Sequence, residues 1–176
     1  AERQVELHPG SLLDSQPPAL PAGFDFDRVE GMMLGLAIGD SLGNTSEGLL
    51  PAARRRRYGE IRDYLPGHRG SPRPGEPPRG YPSDDTQLAF WTLEQLLADR
   101  GFVPEHVARR FCQDRIFGLG QAVGAAVERL RSGTEWHRAG EKSAGNGALM
   151  RIAPMLIPHL RSPSAELWAD TALDFM

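Results

Sequence analysis

The chain has 176 residues, the length of one domain, and can bury a core without disulfides or a structural metal. Its 20 Lys and Arg against 23 Asp and Glu give a net charge of −3, which argues against broad electrostatic binding to nucleic acid or to an anionic membrane. The single cysteine, Cys112, excludes an internal disulfide and a cysteine-rich zinc site, and it fits a reducing compartment.

The N-terminal part of the chain is predicted to be an arm rather than a membrane anchor. Residues 1–24 are polar and Pro-rich, and they lack the basic, apolar and small-residue pattern of a secretory signal. No apolar run in the chain approaches the roughly 20 residues that a membrane span needs. We therefore assign the folded part to residues 25–176 and expect no membrane partner.

The first predicted helix covers about residues 27–42, with Asp25 or Asp27 as its cap and Gly43 at its end. Three glycines recur every four residues and therefore share one side of it: Gly31, Gly35 and Gly39. Each glycine inside a helix is unfavourable by about 1 kcal/mol relative to alanine. We therefore expect another backbone to approach this side closely.

The rest of the chain is predicted to be helical, with long loops. The basic run Arg54–Arg57 is predicted to be a solvated loop, and the Pro- and Gly-rich residues 66–82 a lid or a disordered segment. Five further helices are predicted: Asp84–Asp99 after Ser83 as N-cap, Pro104 to about Phe117, Gln121–Arg131, one from near Gly147 interrupted by Pro154 and Pro158, and one from Ser162–Pro163 onward. Within the second helix Leu88, Trp91, Leu96 and Leu97 are core candidates. No stretch alternates apolar and polar residues, so the predicted fold is all-α.

Three polar segments lie at the ends of predicted helices, and each has two interpretations. Glu47, beyond the first helix, belongs either to an ordinary solvated loop or to a site. The cluster Ser83-Asp84-Asp85 either caps a helix and favours its dipole, or offers the oxygen ligands that Mg²⁺ and Mn²⁺ prefer. The segment Gly145-Asn146-Gly147 is either a tight turn with a left-handed Asn, or a backbone cradle for an anionic or ribose-bearing ligand.

Taken together and in this order, the three segments resemble the ADP-ribosylglycohydrolase family. This family includes dinitrogenase-reductase-activating glycohydrolases and ADP-ribosylarginine hydrolases. The similarity covers roughly residues 28–158: it begins at Gly31-Met32-Met33-Leu34-Gly35-Leu36-Ala37-Ile38-Gly39-Asp40, continues through Asp84-Asp85-Thr86-Gln87 and ends at Met150-Arg151-Ile152-Ala153-Pro154. It implies a compact orthogonal helical bundle with a binuclear Mg²⁺ or Mn²⁺ site.

The resemblance also implies roles for individual residues. Ser83, which replaces the usual Thr but keeps the hydroxyl, would ligate metal together with Asp84 and Asp85. Asp84 or Asp85 would hold or deprotonate the attacking water, and Glu47 would be the gate-loop acid near the scissile ribose. The positions implied beside ADP-ribose, in addition to Glu47, are Gly145, Asn146, Gly147, Met150 and Arg151.

By resemblance we expect a cytoplasmic hydrolase that removes ADP-ribose from a modified protein. ADP-ribosylarginine is the preferred substrate, and ADP-ribosylserine, ADP-ribosylated nucleic-acid bases and small ADP-ribosides stay open. The family's C-terminal Asp-x-Asp-Thr motif has no match: Ala169-Asp170-Thr171 lacks the first Asp and the Gly/Ala-rich helix that follows the motif, so Asp170 is interpreted as a helix-surface acid. We therefore expect the N-terminal half of such a domain. The alternative function is a non-catalytic relative that binds ADP-ribose or has a crystallin-like structural role.

Overall fold

The computed structural model describes residues 15–66 and 79–174, and this part of the chain is helical. The predicted all-α fold is confirmed: the described ranges contain no strand, only an isolated antiparallel bridge between Pro66 and Arg79. Much of the predicted arm and of the Pro-rich loop lies outside the described residues. The helices of the described part are α1 Asp27–Gly43, α2 Pro51–Tyr58, α3 Asp84–Asp99, α4 Pro104–Gln113, α5 Gln121–Arg131, α6 Trp136–Ala139, α7 Ile152–Leu156 and α8 Glu166–Asp174.

Helix α3 is the centre of the fold. It packs against α1, α4 and α7, and α4 packs in turn against α5. The core cluster is formed by apolar residues at helical spacing on three of these helices: Leu88 and Trp91 of α3, Val107 and Phe111 of α4, and Val127 of α5. Burial of this cluster fixes the direction of α3, and therefore the place where its polar N-terminal end emerges.

The glycine-lined side of α1 does not contact another backbone, so that expectation is wrong for the described residues. A Cβ atom built on Gly31, Gly35 or Gly39 would meet no other heavy atom within 4 Å. Gly35 and Gly39 instead line an open cavity beside α3. The helix begins at Asp27 as predicted, but neither Asp25 nor Asp27 is its N-cap: that residue is Phe26, which makes no side-chain cap hydrogen bond. Asp25 lies one residue earlier, and its Oδ1 accepts the Asp27 N–H at 3.0 Å.

The basic run Arg54–Arg57 is helical rather than a loop. Pro51 stands in the first turn of α2, where its missing N–H is not needed, and Gly59 ends the helix with φ +66°. Arginine favours helix, and cations in the last turn interact well with the helix dipole. No α2 residue is buried, so the sequence has no apolar periodicity from which this helix could be predicted.

Two further expectations in the core region need correction. Helix α4 ends at Gln113 rather than near Phe117, because the Gln87 side chain of α3 ties down the loop that follows. Its amide donates to the Arg115 carbonyl at 2.8 Å and accepts from the Phe117 N–H at 3.0 Å. Leu97 is 68% exposed, because it lies about 100° around the helix from buried Leu96.

The C-terminal helices are shorter than predicted. The segment after Gly147 begins as a 3-10 turn, Leu149–Arg151, continues as α7 and ends in a second 3-10 turn that contains Pro158. The last helix begins at Glu166 rather than near Ser162. Within the described residues, no helix combines the length and the apolar character that crossing a membrane requires.

Candidate active site

The N-terminal end of α3 is built by Ser83. This residue has extended backbone dihedrals, and its Oγ accepts the Asp85 N–H at 3.4 Å, which makes it the helix N-cap as predicted. Asp84 and Asp85 follow in the first turn, where the helix dipole favours negative charge. Ser83 and Asp84 are nevertheless buried, with exposed fractions of 4% and 8%.

Asp40, in the last turn of α1, holds this end of α3 in place. Its Oδ2 accepts the Ser83 N–H at 2.7 Å, the Thr86 N–H at 3.2 Å and the Thr86 hydroxyl at 2.6 Å. Its Oδ1 accepts the Ser83 hydroxyl at 2.7 Å. One carboxylate on α1 therefore takes four hydrogen bonds from the start of α3, in addition to a weaker one from Asn44 at 3.3 Å.

Asn44 adds a second link between the two segments. Its Nδ2 donates to the Tyr81 carbonyl at 2.7 Å, two residues before the N-cap of α3. It lies in the 3-10 turn Asn44–Ser46 that follows α1, and Glu47 comes directly after this turn. The turn therefore carries Glu47 to the neighbourhood of the acid pair.

The surroundings of Asp84 disfavour the ionised form of its carboxyl group. Burial raises the pKa of its carboxyl to about 6, and the negative charges of Asp85 and Glu47 act in the same direction. The Gly120 N–H, which donates to Oδ2 at 3.3 Å, offsets part of this effect. Asp85 and Glu47 are thus both close enough to repel the Asp84 carboxylate, an arrangement that a bound cation would relieve.

Asn146 joins the third predicted segment to the acid pair. Its Nδ2 donates to Oδ1 of Asp85 at 3.2 Å, across 61 residues of sequence. Within the described residues the only non-glycine residue with positive φ is Arg100, so Asn146 is not a left-handed turn residue. Gly147 is close to its neighbours: a Cβ there would lie 3.0 Å from the Val123 side chain, which would have to shift by a few tenths of an ångström.

The predicted site residues line two cavities of about 550 Å³ each, a size typical of small-ligand pockets. Asn146 and Met150 lie in the wall of both. The first cavity also contains Asp84, Gly145, Gly147 and Arg151. The second also contains Glu47, Ser83, Asp85 and the glycines Gly35, Gly39 and Gly43. The structure therefore brings the three segments together, with Asp84 and Asp85 facing different cavities.

Arg151 differs from the other predicted site residues because its guanidinium forms an ion pair outside the three polar segments. It pairs with the Asp174 carboxylate of α8 at 3.1 Å, donates to the Asp174 carbonyl at 2.9 Å and stacks over the Phe111 ring. Burial raises the pKa of Asp174, and the charge of Arg151 partly offsets this rise. A role for Arg151 beside a substrate stays a prediction.

The side-chain oxygen atoms at the start of α3 are of the kind that Mg²⁺ and Mn²⁺ bind. A hydroxyl from Ser83 and carboxylates from Asp84 and Asp85 are hard ligands, and the crowding of Asp84 by Asp85 and Glu47 is what a divalent cation would neutralise. They fill only part of an octahedral shell. In the described part of the chain, no group of three or more His, Cys, Asp or Glu side chains is arranged to hold a metal ion.

Sequence reasoning missed Asp40, Asn44 and Thr86 as parts of this site. One local signal was available: Asp40 is an acid in the last turn of a helix, where the dipole disfavours negative charge. Such a residue needs a compensating partner, which the structure supplies at the N-terminus of α3.

A helical protein whose acid pair stands at a helix N-terminus beside two ligand-sized cavities has the features of a protein that binds a small ligand. The model of the ADP-ribosylglycohydrolase family matches residues 22–175, and the chain belongs to that family.

Two relatives and one solved structure indicate the same family. The chain is 32% identical to the ADP-ribosylarginine hydrolase Tri1 of Pseudomonas putida over 81% of its own length and 39% of the relative. It is 30% identical to the ADP-ribosyl-[dinitrogen reductase] glycohydrolase of Rhodospirillum rubrum over 78% of its length and 47% of the relative. A solved ADP-ribosylglycohydrolase-related protein complex shares 33% identity with a TM-score of 0.63, and covers 85% of this chain and 49% of that one. The chain therefore spans less than half the length of these relatives.

Proposed function

We propose that this chain is part of a divalent-cation-dependent hydrolase that removes ADP-ribose from modified protein arginine. The observation that carries the proposal is the convergence of Asp84, Asp85 and Glu47 beside Asn146, at cavities large enough for a small ligand. The arginine substrate rests on relatives named as ADP-ribosylarginine hydrolase and ADP-ribosyl-[dinitrogen reductase] glycohydrolase.

Ser83, Asp84 and Asp85 would hold two Mg²⁺, or Mn²⁺, together with ligands from outside these residues. When bound, the cations would supply Lewis acidity for orienting the ribose hydroxyls and activating the attacking water. Because the ionised form of Asp84 is disfavoured in the metal-free protein, cation binding and release of its proton should be linked.

The chain's own residues then carry the hydrolysis. A water attacks ribose C1 as the bond from C1 to the acceptor nitrogen breaks. Asp84 or Asp85 accepts the proton that the water loses, and this proton then passes to the leaving guanidine. The hydrogen bond from Asn146 holds Asp85 in a fixed orientation. Glu47, carried on the turn after α1, orients the substrate at the cavity wall.

The test is release of ADP-ribose from ADP-ribosylarginine and ADP-ribosylserine peptides by the full-length protein, with Mg²⁺, with Mn²⁺ and with chelator. We expect turnover of the arginine peptide that chelator abolishes, and loss of turnover in Asp85→Asn. Asp99→Asn is the matched control, since it changes a carboxylate at the opposite end of the same helix.

Turnover in chelator, or wild-type turnover by Asp85→Asn, would contradict the proposed mechanism. Binding of ADP-ribose without turnover of either peptide would favour the non-catalytic alternative. Faster turnover of the serine peptide would keep the reaction class and change the substrate.

A further inference from the structure

The Asp40 carboxylate controls the direction of the Ser83 hydroxyl group. A serine hydroxyl has one hydrogen to donate and two lone pairs that accept. Ser83 Oγ lies 2.7 Å from Oδ1 of Asp40 and 3.2 Å from Oδ2 of Asp85. Both neighbours are carboxylate oxygens. The shorter of the two distances therefore assigns the hydroxyl hydrogen to the bond with Asp40.

With its hydrogen directed to Asp40, Ser83 Oγ presents only lone pairs to its other neighbours. One lone pair accepts the Asp85 N–H at 3.4 Å, as expected of an N-cap. An oxygen that presents a lone pair is a ligand for a hard cation, whereas one that points its hydrogen outward is not. The Asp40 contact therefore decides whether Ser83 can serve as a ligand.

Asp40 is itself prevented from turning away. Its Oδ2 is fixed by the backbone N–H groups of Ser83 and Thr86 and by the Thr86 hydroxyl, at 2.6–3.2 Å. Its Oδ1 also receives Asn44 Nδ2 at 3.3 Å. Both carboxylate oxygens thus face donors, so the geometry that orients Ser83 exists before any ligand arrives.

We propose that Asp40 is a positioning residue, which keeps the Ser83 hydroxyl as an acceptor-only oxygen and thereby raises the affinity of the Ser83–Asp85 segment for a divalent cation. This rests on the proposed function. A purely structural role, in which Asp40 only ties α1 to α3, predicts a loss of stability without a specific effect through Ser83.

The experiment is a double-mutant cycle on Mn²⁺ affinity, measured by electron paramagnetic resonance on the full-length protein. Asp40→Asn keeps the shape but introduces an NH₂ group that reverses hydrogen bonding on one side. We expect it to weaken Mn²⁺ binding about 10- to 100-fold, the usual effect of losing a group that orients a ligand. In a Ser83→Ala background the same change should weaken binding far less, because there is no hydroxyl left to orient.

Thr92→Ala is the matched structural control. It removes a fully buried side chain of the same helix, whose hydroxyl donates to the Leu88 carbonyl at 2.8 Å, and leaves the hydrogen bonds of Asp40 in place. We expect a lower unfolding temperature and unchanged Mn²⁺ affinity. If Asp40→Asn does not fold, Asp40→Glu, which displaces the carboxylate by one methylene, enters the same cycle.

An equal loss of Mn²⁺ affinity with and without the Ser83 hydroxyl overturns the proposal, as does an equal loss in Thr92→Ala. An unchanged affinity in Asp40→Asn overturns it too, and in each of these cases the proposed function survives. A wild-type protein that binds no Mn²⁺ or Mg²⁺ overturns both the cation-dependent function and the positioning role.

Discussion

Replacing Asp84 with asparagine should stabilise the metal-free protein at neutral pH. The structure raises the pKa of this carboxyl from 3.8 to about 6, first through burial and then through the charges of Asp85 and Glu47. The change is about two units, and each unit corresponds to about 1.4 kcal/mol, so an ionised Asp84 destabilises the fold by at most about 3 kcal/mol. Allowing for screening by solvent, we expect a gain of about 1–3 kcal/mol in Asp84→Asn.

The size of this gain in stability depends on pH. Because the folded-state pKa of Asp84 is raised, its favourable contribution is complete below pH 3.8 and is lost as the pH rises through about 6. The variant lacks this loss, because an asparagine amide does not titrate. The difference in free energy of unfolding between variant and wild type should therefore be near zero at about pH 4 and reach its full value by about pH 7.5.

The assay is urea unfolding in chelator across this pH range. Asp99→Asn serves as a control of opposite sign, since hydrogen bonds from Gln95 and His106 lower the pKa of Asp99. That variant should be less stable than the wild type at neutral pH, with a deficit that shrinks in acid. An Asp84→Asn protein that is less stable than the wild type at pH 7.5, or equally shifted at both ends of the range, would refute the reasoning.

Other predictions concern the core and the helix interiors. Leu88→Ala should lower the free energy of unfolding by about 2–5 kcal/mol in urea titrations, because Leu88 is fully buried, whereas Leu97→Ala should change it by less than about 0.5 kcal/mol. Gly31→Ala should raise the unfolding temperature by stabilising α1 by about 1 kcal/mol, and a decrease would reveal a neighbour at that position. Arg151→Ala should destabilise by about 3–5 kcal/mol, because it leaves the buried Asp174 carboxylate without its partner; adding Asp174→Asn should recover part of this loss.

Helices that bury an apolar face could be predicted from the sequence, and those that do not could not. The bounds predicted for α5 and α3 agree with the structure, since apolar spacing and the Ser83 cap are local properties of the chain. Helix α2 has no buried residue and therefore leaves no apolar pattern to detect. The end of α4 depends on hydrogen bonds from Gln87, about 30 residues earlier in the chain, which no local pattern contains.

The same distinction applies to the site. The polar segments around Glu47, Asp84 and Asn146 each had an ordinary structural interpretation, and only their combination in this order indicated one site. An acid in the last turn of α1 indicates that Asp40 needs a partner but not which one, because Ser83 and Thr86 lie 43 and 46 residues away. Only the packing of α1 on α3 brings these groups within hydrogen-bond distance.

The glycines of α1 have a consequence for the entropy of ligand binding. Gly35, Gly39 and Gly43 present bare backbone to the cavity that also contains Glu47 and Asp85. A wall without side chains has no rotamers to immobilise when a ligand arrives, so this surface adds little to the conformational entropy lost on binding. The ordering penalty should fall instead on the side chains that line the same cavity, above all on Glu47.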